Sequence, residues 1–147
     1  MYIGRPEWGG YTGGEIASNL ATMTVRDYII ENWSKTLSES ENSGREEILE
    51  LIKKAMVEAN HAINAKAKEN EELQYMGTTL EVCLIYNNRA YIGHIGDSRV
   101  YRIRNNIIRK MTADHSYVQE LVKDGTITKE EADYHPKKNM LMKAVRK

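Results

Sequence analysis

Met76-Gly77-Thr78-Thr79 and, further on, His94-Ile95-Gly96-Asp97-Ser98-Arg99-Val100-Tyr101 decide how the middle of this chain is read. Each stretch borders an apolar, β-branched run. Thr79–Tyr86 reads as a strand, and Arg89–Ile95 reads as the strand returning beside it. Asn87-Asn88 between them is a hairpin signal, because asparagine tolerates positive φ. Gly96-Asp97-Ser98 then turns the chain again. A carboxylate at such a turn either accepts backbone amides or holds a cation. Val100–Arg104, Asn105-Asn106 and Ile107–Met111 repeat the pattern as a second hairpin with alternating faces. Two Asn-Asn turns at similar spacing predict an antiparallel meander rather than parallel crossover units.

Upstream of this block the period changes to that of helices. A first helix is predicted from near Gly14 towards Trp33, with Ile16, Leu20 and Met23 on one face. Ser34–Ser43 is polar and reads as a connecting loop. Ser43 with Glu46 forms a capping box that starts a second helix. That helix carries Ile48, Ile52, Ala55, Met56, Ala59 and Ile63 at helical spacing and ends near Lys68–Asn70. Its apolar face is expected to lie on the strand bearing Leu80, Val82 and Leu84. Downstream, Ser116 and Gln119 are placed to cap a helix over Tyr117–Asp124, which Gly125 terminates. Thr128 with Glu131 caps another short helix. Helices, antiparallel strands, then a small helical pair predict an α+β fold with helices layered on sheets.

At 147 residues the chain suits one domain with a real core. Apolar residues at 41% and charged residues at 29% are ordinary globular values, which excludes wholesale disorder. A formal net charge of zero argues against a nucleic-acid partner, which needs a concentrated basic surface. Cys83 stands alone and reads as a core thiol of a reducing, cytoplasmic protein. No apolar run is long enough to span a bilayer, and the N-terminus has no signal-peptide pattern.

The two quoted stretches are followed by Thr112-Ala113-Asp114-His115-Ser116-Tyr117, then Gly125-Thr126-Ile127-Thr128 and His135-Pro136. In this order they resemble the metal-dependent protein phosphatases, the 2C-type serine/threonine phosphatases, and especially their compact bacterial members. The resemblance covers most of residues 13–145. It implies part of a fold in which two antiparallel sheets sandwich together with helices outside. The expected organisation is a single partial phosphatase-like domain, 1–147. It comprises a divergent N-terminus at 1–13, a helical layer at 14–70, antiparallel strands at 77–111 and a flap at 112–136.

The same resemblance implies chemistry. Members hydrolyse phosphoserine and phosphothreonine in proteins with a water activated by two Mn2+ or Mg2+ ions held by shared acids, in systems with a serine/threonine kinase. Their Asp-Gly-x-Gly-Gly-His motif falls, by register, on Pro6-Glu7-Trp8-Gly9-Gly10-Tyr11. Pro6 thus stands at the place of the metal-bridging Asp, and a proline has no carboxylate. Tyr11 stands at the place of a His that protonates the leaving group, and a phenol near pKa 10 is a poor acid at neutral pH. Glu7 is the nearby carboxylate able to substitute as a metal ligand. Asp97 corresponds to an Asp that helps hold a further metal ion beside the flap; it is the main metal candidate here, with Arg99 as its potential ion-pair partner. His115 and Ser116 are placed in the substrate-influencing flap. His94, His115 and His135 are not at metal-ligand spacing, and His61 sits on a helix with no second ligand at i+4.

Two classes of function follow. One is a phosphatase represented only in part and inactive alone, through an interrupted or frame-shifted gene. The other is a non-catalytic phosphatase-like module that binds a protein or phosphoprotein partner. Strands left without neighbours are expected to promote self-association. The likeness is expected to stop sharply between Trp8 and Gly9 and again at Val145.

Overall fold

The computed structural model describes residues 13–38, 44–138 and 140–145. Pro6, Glu7 and Tyr11 lie outside the described residues, as does Ser43 of the expected capping box. Helix α2 (Arg45–Glu69) has Gly44, at φ 59°, in its N-cap position, with no side-chain capping hydrogen bond from that residue. Its apolar period is the one read from the sequence. Ile48, Leu51, Ile52, Ala55, Ala59, Ile63 and Ala67 are buried along one stripe.

Helix α1 (Gly14–Ser38) packs along α2, but not through the face expected. Ile16 and Met23 are 42% and 52% exposed, whereas Ala17, Ala21 and Val25 are buried. Small side chains let two helices approach closely, so the seam follows the alanines and Val25 rather than the largest residues. Leu20, Tyr28, Ile29 and Trp33 pack around its margin.

A 3-10 turn at Glu71–Leu73 leads into β1 (Leu80–Tyr86), which pairs antiparallel with β2 (Arg89–Ile95) from Tyr86↔Arg89 to Leu80↔Ile95. Asn87 and Asn88 turn the hairpin at φ 47° and 57°, the left-handed pair that a two-residue turn requires. Leu80 and Val82 are buried in the same core as the α2 stripe, and Leu84 is partly buried against it. Gly93 of β2 shows how close the sheet comes to α2. A Cβ there would meet Ile52 Cγ2 at 2.5 Å and Met56 Sδ at 2.7 Å.

The predicted meander is divided. Among the described residues, strands β3 (Tyr101–Arg104) and β4 (Ile107–Lys110) pair only with each other, as a separate sheet turned by Asn105 and Asn106. The turn at Gly96 redirects the chain and separates the two hairpins. Helices α3 (Tyr117–Lys123) and α4 (Lys129–Tyr134) complete the order. The Thr128–Glu131 capping box is present, and Gly125 has φ 73°. Ser116 occupies the N-cap of α3, yet its hydroxyl makes no capping bond. Backbone contact holds this segment instead, through the bridge Ser116↔Leu141, while Thr78↔Val145 joins the C-terminal residues to the chain just before β1. Cys83 is exposed rather than a core thiol, because residues 80, 82 and 84 take the inward face of β1. No helix of the described residues is long and apolar enough to cross a membrane.

Candidate functional site

Why Gly-Thr-Thr and Gly-Asp-Ser occur together is visible at Gly96. Its φ is +117°, and a Cβ there would lie 2.4 Å from Thr79 Cγ2 and 3.2 Å from Thr79 Cα. No other residue fits at this backbone angle and this distance. The hydroxyls of Thr79 and Ser98 are 2.9 Å apart and hydrogen-bonded. The turn is therefore clamped onto the start of β1, and Asp97 projects from it with an exposed side chain.

Beside the turn lies a buried ionic cluster. Glu81 interrupts the apolar run of β1 and is 7% exposed. Its Oε1 is 3.2 Å from His94 Nδ1, and His94 Nε2 donates to the Ala113 carbonyl at 2.9 Å. Both partners are acceptors, so a protonated ring can donate to both at once. Burial alone would lower the His94 pKa, but the bonds to Glu81 and Ala113 outweigh it and raise the value above its usual 6.5. His115 stacks on His94 with ring centroids 4.8 Å apart. Its Nδ1 accepts the Gly96 amide at 3.2 Å, which requires that nitrogen to be unprotonated. Burial, and then the positive charges of His94 and Lys143, hold the His115 pKa below its usual value. The stack thus pairs one histidine whose pKa is raised with one whose pKa is lowered.

Asp114 is the second anchor. Arg99 donates to it through Nε and Nη2, the shortest bond being 2.6 Å, and Lys110 Nζ lies 2.7 Å away. Burial pushes the Asp114 carboxyl upward, but these cations more than offset it and leave its pKa below the ordinary value. The Asp114 bond likewise raises the Arg99 pKa. Arg99 therefore pairs with Asp114 and not with Asp97.

Of the residues singled out in the sequence, the fold brings together Asp97, His94, Arg99, His115 and Ser116. His61 sits apart on α2 beside Glu58, and His135 makes a tilted ring contact with Tyr117. Glu81, Asp114 and Lys110 were missed as site residues. A charged residue between Leu80 and Val82 was the signal for Glu81, since an acid in a buried strand requires a partner. Among the described residues no group of three His, Cys, Asp or Glu is placed to hold a metal ion. Asp97 offers one carboxylate, whereas Mn2+ or Mg2+ needs several oxygen ligands. The described residues do not fit a two-metal centre.

The family model for protein phosphatase 2C matches residues 13–121. The chain belongs to the protein phosphatase 2C family. It is 36% identical over 137 residues to the serine/threonine phosphatase stp of Listeria welshimeri, covering 93% of this chain and 52% of that protein. It is 39% identical over 145 residues to the protein phosphatase PhpP of Streptococcus pneumoniae, covering 99% and 55% respectively. Among solved structures, the serine/threonine phosphatase Stp1 of Staphylococcus aureus superposes with a TM-score of 0.75 at 31% identity, over 92% of this chain and 50% of that one. The catalytic domain of PstP in complex with two manganese ions gives 0.69 at 32%, over 93% and 52%. The chain thus spans about half the length of the curated relatives it matches. Coverage of 99% with PhpP carries the likeness past the boundary expected between Trp8 and Gly9.

Proposed function

We propose that this chain carries the helical layer, the central hairpin and the flap of a metal-dependent protein serine/threonine phosphatase. Its substrates are phosphoproteins produced by a serine/threonine kinase, and the chain alone does not turn them over. One observation carries this reading. The acids gathered beside the Gly96 turn are already engaged, Glu81 by His94 and Asp114 by Arg99 and Lys110. Two-metal hydrolysis requires grouped carboxylates free to face the cations, and only Asp97 of this group is uncommitted. The metals of the family would need ligands beyond those described here. Pro6 and Tyr11, at the family's acid and His positions, support the same reading.

The intact, ion-paired flap also favours a second reading, a non-catalytic module that binds a protein or phosphoprotein partner. Exposed Ile85, Ile103 and Ile108 beside unpaired strand edges support self-association in either case. Hydrolysis of an aryl phosphate and of a phosphothreonine peptide, with Mn2+ or Mg2+, tests the proposal. Phosphate release is expected at the rate of metal-containing buffer, for the chain and for Asp97→Ala alike. Metal-dependent turnover that Asp97→Ala abolishes would overturn it.

A further inference from the structure

The β3–β4 hairpin carries a charged face that neither the fold nor the proposed activity uses. Directly opposed residues of an antiparallel pair share a face, as do alternate residues along one strand. Arg102 is opposite Arg109, and Arg104 is opposite Ile107. These four side chains therefore lie on one face, and all are exposed. The other face presents Tyr101, Ile103, Ile108 and Lys110, and Lys110 there reaches the Asp114 pair with Arg99. Asp114 neutralises that side only. Among the described residues no carboxylate pairs with Arg102, Arg104 or Arg109, and the run Ser98–Met111 contains no acid at all.

Like charges directly opposite in a strand pair are destabilising, so an Arg102–Arg109 pair weakens the hairpin that holds it. An anion lying between the two guanidinium groups removes that cost and gains charge-assisted hydrogen bonds. We infer that the arginine face of the β3–β4 hairpin docks an extended, acidic segment of a partner protein. Three observations select this occupant. Arg102 and Arg104, two residues apart on β3, match carboxylates on alternate residues of a strand, and Arg109 lies directly across from Arg102. The outer edges of β3 and β4 have no neighbour among the described residues, which leaves backbone groups free for strand addition. Ile107 sits among the arginines, suiting an apolar residue between two acids. A second copy meeting this face would bring arginine onto arginine, which leaves self-association to the opposite face with Ile103 and Ile108, and the chain's zero net charge disfavours a nucleic acid. The inference does not depend on catalysis.

The test is fluorescence anisotropy of the full chain with labelled (Asp-Val)4, (Lys-Val)4 and an oligothymidylate of matching length. (Asp-Val)4 is expected to bind, to weaken as salt rises, and to bind better than either of the other probes. The triple variant Arg102→Gln, Arg104→Gln, Arg109→Gln should lose on the order of tenfold or more of that affinity. The variant with lysine at the same three positions should retain most of it, with both variants showing the parent's circular dichroism. No binding of (Asp-Val)4 at low salt, or equal binding by the glutamine variant, would overturn the inference. Tighter binding of oligothymidylate would overturn it as well, in favour of a nucleic-acid face. Loss of phosphatase activity is not read in any of these arms, so the inference and the proposed function fail independently.

Discussion

Glu81 and His94 form an ion pair whose side chains are each 10% exposed. Such pairs are costly to bury and are retained where they fix one arrangement. Here the pair ties β1 and β2 to Ala113 at the start of the flap, and His115 beside it ties the flap back to Gly96. The two rings respond to pH in opposite directions. His94, with its pKa raised above 6.5, stabilises the fold fully below that value and loses its contribution as pH climbs through the folded pKa. His115, with its pKa lowered, contributes above 6.5 and becomes a liability as pH falls below it. The stability lost by His94→Gln should therefore be larger near about pH 5.5 than near about pH 8.5, and the loss from His115→Gln should show the opposite trend. Urea denaturation of both variants at the two pH values checks this. Parallel trends would show that the two pKa values are not shifted in opposite directions. In the sequence only half of this arrangement was legible. The two histidines are visible in the sequence as single residues, but nothing local reveals that Glu81 and Ala113 converge on one imidazole. Pairing across β1 and β2 creates that contact, and the register is fixed by the Asn87-Asn88 turn.

Elements with strong periodicity were the legible part of the fold. α2 was readable because Ile48, Ile52, Ala55, Ala59 and Ile63 recur at one spacing, and both hairpins because paired asparagines mark them. α1 was misread at its face. Its buried residues are small, so hydrophobicity pointed to Ile16 and Met23, whereas close helix packing selected Ala17 and Ala21. The separation of β3–β4 from β1–β2 was not legible either, since it depends on the contact between Gly96 and Thr79. At this scale the decisive contact is α2 on β2. Ile52 is 2% exposed and faces Gly93 at a distance that leaves no room for a Cβ. Ile52→Ala should cost about 2–5 kcal/mol, read from the denaturation midpoint. An unmoved midpoint would mean that α2 does not lie on the sheet as described.

For the whole molecule, the governing fact is that the chain covers about half of relatives such as stp and PhpP. Strands β3 and β4 are exposed on both faces, and Ile85, Ile103, Ile107 and Ile108 are each at least 66% exposed. Apolar residues beside open strand edges favour association. Sedimentation velocity of the isolated chain is expected to show species larger than a monomer, increasing with concentration. A monomer at all concentrations, with sharp cooperative unfolding, would contradict that expectation. The fold is that of the phosphatase relatives, while the acids gathered beside the Gly96 turn are held by His94, Arg99 and Lys110. Calorimetric titration with Mn2+ tests that arrangement most directly. Weak binding centred on Asp97, and absent in Asp97→Ala, is the predicted result. Two saturable sites with Kd near about 1 μM or tighter would contradict it.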